Sequence, residues 1–183
     1  MRFLTYLTAF LSCLLRCMGA EPDLPPYPVA DIYKDLRGAV LSLKPGDVGE
    51  SDHSKILAVL MDTGLPEAAY TLVATIDGSA SLYFSNGGGI IGAGEHAAGA
   101  EASKALLEEA AKHLASMKPT ERTPFVAPGM TTFYAVTGKQ ILTLTAKTED
   151  LGEGRHPASR LFHTAHELIS RIKTIDESRT KKP

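Results

Sequence analysis

At 183 residues the chain is long enough for one domain with a proper core, since domains cluster at roughly 100–150 residues. Its charged fraction of 22% and formal net charge of −2 describe an ordinary folded surface without the basic excess that phosphate backbones require, so nucleic acid is excluded as a partner. Both cysteines, Cys13 and Cys17, precede Met18, which excludes a disulfide framework or thiolate metal site in the folded body.

Residues 1–20 form an apolar N-terminal segment. Phe3 to Leu15 has the length of a signal-peptide core behind Arg2, and Cys17-Met18-Gly19-Ala20-Glu21 offers small residues for cleavage. This points to an exported or membrane-associated protein, with membrane association through residues 3–15. The run is short for a spanning helix, and Arg16 interrupts the small-residue region. The alternatives are a cytoplasmic protein whose translation starts at Met18, or an apolar helix packed into the domain. Residues 21–28 hold four prolines and read as an extended linker. A single domain over 29–176 follows, closed by a basic tail over 177–183.

Pro28 suits a first helical position, and Val29, Ile32, Leu36, Val40 and Leu43 recur at helical spacing before Pro45 stops them. Lys55 to Met61 reads as a buried strand ended by a turn at Asp62-Thr63-Gly64. Tyr70–Ile76 and Ser79–Phe84 flank Asp77-Gly78, the signature of a type I′ hairpin. After a glycine loop, Ala100, Ser103, Leu107, Ala110, Leu114 and Met117 mark the inner face of a long helix that Pro119 terminates. Thr132–Val136 and Gln140–Ala146 form a second hairpin about Gly138-Lys139. An acidic loop from Thr148 to Gly154 precedes a last helix with Leu161, Ala165, Leu168, Ile172 and Ile175 inside. The expected fold is α+β: a mostly antiparallel five-stranded sheet packed with three helices, in the order α-β-β-β-α-β-β-α.

That order resembles the small profilin-like and roadblock-like domains, which implies a role in dimerisation, scaffolding or small-ligand sensing. The strings Val59-Leu60-Met61-Asp62-Thr63-Gly64, Ser81 to His96, and Gly154 to His166 are similar to those of an uncharacterised bacterial protein family, a likeness that carries no catalytic residue with it.

Three motifs bear on chemistry. Gly87, Gly89 and Gly92 satisfy G-x-G-x-x-G between a strand and a helix, so Asn86, Gly87, Gly88, Gly89 and Gly92 are the candidate ligand-binding residues. A dinucleotide site would also need a parallel second strand with an acidic residue, which the following proline loop denies. No cofactor is therefore expected. Asp62-Thr63-Gly64 with Gly89-Ile90-Ile91-Gly92 resembles the paired signatures of retropepsin-like aspartic peptidases, in which Asp62 would be the catalytic carboxylate. The separation leaves too little chain for a flap, so the tripeptide reads as a strand-ending turn.

The histidines are the third motif. His156, His163 and His166 lie along the last helix, with His156 and His163 opposite the apolar stripe and His166 on its flank. They are the candidate metal ligands, but the preferred reading is a solvated helical face, with a histidine-containing interface as the other alternative. Glu95 and His96 with His163 or His166 are the candidate catalytic set of a metal-assisted or acid-base hydrolase. The reading preferred over that alternative is a non-catalytic module that binds a protein partner or small ligand and self-associates as a homodimer.

Overall fold

The computed structural model describes residues 25–180. Within them lie one antiparallel sheet of seven strands and four α-helices. The α+β class and antiparallel pairing agree with the expectation; the strand and helix counts do not. In chain order the elements are α1 (Asp31–Leu41), β1 (Ile56–Gly64), β2 (Ala69–Thr75), β3 (Ala80–Phe84), β4 (Gly89–Ile90), α2 (Ala97–His113), β5 (Lys118–Thr120), β6 (Met130–Thr137), β7 (Ile141–Lys147), α3 (Thr148–Gly152) and α4 (Ser159–Thr180). Their spatial order in the sheet is β4-β3-β2-β1-β6-β7-β5.

The two extra strands sit at the sheet's edges. Gly89 and Ile90 pair with Tyr83 and Leu82, so part of the glycine loop is ladder. Lys118-Pro119-Thr120 pairs with β7, and Pro119, expected only to stop a helix, belongs to an edge strand, where its missing N–H costs no interior bond. The fourth helix, α3, occupies most of the stretch expected to be an acidic loop. No helix among the described residues is long and apolar enough to cross a membrane; the apolar run at 3–15 lies outside them.

Alternation along the strands creates two faces. Val59, Met61, Leu72, Leu82 and Phe133 point to the side covered by α2 and α4, where Leu106, Leu161, Leu168 and Ile172 complete the main core. Ala58, Leu60, Val73, Tyr134 and Val136 point to the side covered by α1 and Phe125. The inner face of α1 is built on Tyr33 and Arg37, whereas Ile32, expected in the stripe, is 51% exposed. Tyr27, within the proline-rich stretch, is buried and donates its hydroxyl to the Val126 carbonyl at 3.0 Å.

The Asp77-Gly78 hairpin exists, but its turn is not type I′. Only Gly78 has positive φ, at 88°. The Gly78 N–H donates to Thr75 O and the Thr75 N–H to Ser79 O, a type I turn followed by a left-handed glycine bulge. Asp77 Oδ1 accepts from the Ser79 N–H at 3.0 Å. The Phe84–Gly88 turn repeats this pattern, with Gly87 at φ 94° and Asn86 Oδ1 accepting from the Gly88 N–H. Gly78→Val should destabilise the protein by about 1–3 kcal/mol, because a β-branched residue resists left-handed backbone; a thermal melt matching wild type would contradict this turn geometry.

Candidate functional site

Asp62-Thr63-Gly64 is not a turn but the end of the central strand, buried at every position. Asp62 projects to the α1 face, between Thr71 of β2 and Thr132 of β6. Local propensity for a turn is overridden because its charge has a partner. Arg37 Nη2 lies 2.7 Å from Asp62 Oδ2, with side-chain exposures of 6% and 1%, and Arg37 Nε donates to the same oxygen at 2.8 Å. Thr71 Oγ1 donates to Asp62 Oδ1 at 2.6 Å, which leaves the Tyr33 hydroxyl to donate to Thr71 Oγ1 at 2.7 Å. Burial works against the Arg37 charge, but the field and hydrogen bond of Asp62 outweigh it and raise its pKa. Burial, and then the Asp62 carboxylate, push the Tyr134 phenol up to about 12.

Arg37 does more than neutralise Asp62. Its Nη1 and Nη2 donate to the carbonyls of Thr123 and Pro124 at 3.0 and 3.2 Å, and its guanidinium lies 5.4 Å from the centre of the Phe125 ring and 5.3 Å from that of Tyr134. Tyr134 Oη also donates to Pro124 O at 3.3 Å. One side chain of α1 thus pins segment 123–125 over the sheet. The rest of the tripeptide serves the same segment: Gly64 bridges Pro128, and an added Cβ there would overlap the Ala127 carbonyl.

Beneath the pinned segment, the β6–β7 half of the sheet face is open. A cleft of about 580 Å³ runs there, walled by Phe125, Val126 and Met130 and floored by Thr132, Thr143 and Thr145. The threonines share a face because β7 alternates, with Leu142, Leu144 and Ala146 on the core side. Thr132 and Thr145 share one hydroxyl–hydroxyl bond at 2.9 Å, which leaves a single free hydroxyl hydrogen between them. Thr143 donates to Phe133 O at 3.1 Å and keeps its lone pairs. No Asp, Glu or His lines the cleft. Its volume falls within the roughly 300–1,000 Å³ typical of small-ligand sites.

The residues expected from sequence are distributed differently. Asn86, Gly87 and Gly88 form the β3–β4 turn, whose Gly87 and Gly88 N–H groups are bonded internally. Gly89 lies in the ladder, where a Cβ would stand 2.9 Å from Leu82 O. Gly92 O accepts from Arg179 Nη2 at 2.7 Å. Glycine here permits turns and close packing, and the helix begins only at Ala97, beyond a 3₁₀ turn at Ala93–Glu95.

Glu95 and His96 also gather on Arg179, which donates to Glu95 Oε2 and His96 Nε2 at 3.3 Å each. Arg179, placed in the tail by sequence, is part of α4, which continues to Thr180. His166 and His163 sit about 20 Å or more back along that helix, at roughly 1.5 Å per residue, so the two pairs do not converge. His163 is exposed. His156 Nδ1 accepts from the Ala158 N–H at 3.1 Å, at the entry to α4. His166 packs on Phe162 at 4.1 Å between ring centres and meets the Tyr70 hydroxyl at 3.2 Å. No group of three or more His, Cys, Asp or Glu among the described residues is arranged to hold a metal ion.

Burial holds the His166 pKa below its usual value. The unfolded chain therefore binds the proton more readily, and stability should fall as pH drops from about 7 through the range between the unfolded and folded pKa values, by at most about 1.4 kcal/mol per pH unit for one proton. Chemical denaturation at a series of pH values should show this slope, and His166→Gln should remove its share; an unchanged slope would contradict the assignment. Comparison with protein-family models, curated proteins and solved structures gives no match for this chain.

Proposed function

We propose that the protein is a non-catalytic binding module that takes a small, uncharged or anionic amphipathic ligand in the β6–β7 cleft. The observation that carries this reading is the Arg37 clamp. A buried cation and two aromatic rings hold the wall of an open cleft in place, and preorganisation of that kind lowers the cost of ligand binding. The walls at Phe125, Val126 and Met130 suit an apolar body, and the threonine floor offers acceptors and one donor to fix its orientation. Binding is favoured over chemistry because no carboxylate, histidine or cysteine lines the cleft, and the neighbouring Asp62 is saturated by Arg37 and Thr71.

A fragment screen of neutral and anionic amphipathic compounds tests the reading. Hits should bind wild type and be lost in Thr145→Trp, where an exposed strand residue becomes a ring large enough to fill the cleft. Hits that bind both proteins equally would place the ligand elsewhere. Self-association is the second reading, favoured by Ile91, 57% exposed beside β4, and Ile32 beside the Gly87 turn. Sedimentation should then show a dimer that Ile91→Asp dissociates, and a monomer at all concentrations would refute it.

A further inference from the structure

On the opposite face of the sheet, Tyr70 of β2 and Leu82 and Phe84 of β3 meet His166, Ile169 and Lys173 of α4 around a cleft of about 170 Å³. We propose that this cleft is a separate site for a small monocarboxylate with a flat apolar body, and that the Tyr70–His166 pair takes up one proton as the anion binds.

The hydrogen-bond geometry fixes the proton positions. His166 Nδ1 lies 3.0 Å from the Phe162 carbonyl, which can only accept, so Nδ1 carries the hydrogen and Nε2 carries the lone pair. The Tyr70 hydroxyl, 3.2 Å from Nε2, therefore donates to it. In this state the cleft presents no hydroxyl hydrogen to a ligand. A proton from solvent added to Nε2 reverses the link: Nε2–H donates to the Tyr70 oxygen, and the Tyr70 hydrogen turns to the bound carboxylate. Nδ1–H stays on Phe162 O, and the only bond formed is N–H.

Charge complementarity points the same way. The titratable groups facing His166 are Tyr70 from β2 and His163 and Lys173 from α4; β3 contributes Leu82 and Phe84, and no carboxylate lines the cleft. A cationic His166 would be unopposed until an anion enters, so proton and anion bind together. Leu82, Phe84 and Ile169 supply the apolar walls. The cleft lies below the roughly 300–1,000 Å³ of drug-sized sites, which limits the ligand to a small acid.

Calorimetric titration with benzoate, and with benzamide as its uncharged isostere, in two buffers of different ionisation enthalpy tests this directly. Benzoate should bind saturably at about millimolar concentration or tighter with proton uptake, and benzamide at least about tenfold more weakly, the loss of a charged hydrogen-bond partner. His166→Gln should abolish proton uptake, and Tyr70→Phe, which removes the hydroxyl hydrogen turned to the carboxylate, should weaken benzoate by a similar factor. Lys173→Met should weaken binding but keep proton uptake, and Thr145→Trp should leave benzoate unaffected. The proposal is overturned if benzoate shows no saturable binding, if benzamide binds equally well, if His166→Gln retains proton uptake, or if Tyr70→Phe binds benzoate as tightly as wild type.

Discussion

Arg37→Met should destabilise the protein by about 3–5 kcal/mol, the cost of leaving a buried carboxylate without its cation. The loss is large because the side chain has three dependants: the Asp62 carboxylate, the carbonyls of Thr123 and Pro124, and the rings of Phe125 and Tyr134. Asp62→Leu alone should cost a similar amount by stranding the guanidinium. The double change Arg37→Met with Asp62→Leu should recover much of the deficit, since an apolar pair replaces an ionic one and neither charge is left alone. Urea denaturation of the four proteins measures the cycle. Single changes costing less than about 1 kcal/mol would mean that the pair behaves like an exposed salt bridge.

Gly99→Val should also be severely destabilising, at or above the usual overpacking range of about 1–3 kcal/mol. A side chain there would overlap the Ala93 carbonyl and crowd Ile175, and at Gly94 it would overlap the carbonyl of Gly78. These obstacles are backbone, so no rotamer change relieves them. The two glycines let the start of α2 and the preceding 3₁₀ turn lie against the β2–β3 turn. Gly38→Val, on α1 with open space around it, is the control, expected to be near neutral apart from helix propensity. Equal melting temperatures for Gly99→Val and Gly38→Val would contradict the close approach.

The long helices and both hairpins were legible because their apolar residues recur at periods of 3.6 and 2 over many positions. The edge strands were not. Two residues at Gly89-Ile90 and three at Lys118–Thr120 carry no period, and glycine and proline argue locally for loops. The β2–β3 turn was placed correctly from Asp77-Gly78, but its class depended on whether Asp77 also took positive φ, which the dipeptide does not decide. The candidate site was the least legible part. Asp62 looked like a turn residue because its partner is on another element, and an apolar stripe drawn through Ile32 rotates α1 away from its true inner face at Tyr33 and Arg37. The available signal was the i, i+4 spacing of Tyr33 and Arg37 beside Leu36 and Val40. Sequence could equally show that Thr143 and Thr145 share a face, but not that the sheet is left uncovered there.

The account rests on that uncovered face being a binding site, and methyl-resolved NMR tests it most directly. With fragment-screen hits titrated into protein labelled at threonine and methionine methyls, the predicted result is saturable shifts concentrated on Met130, Thr132, Thr143 and Thr145. Those shifts should vanish in Thr145→Trp while Thr63, on the opposite face of the sheet, and Thr71, covered by Tyr33, stay fixed. Shifts centred elsewhere, or a cleft whose methyls respond to no compound, would contradict it.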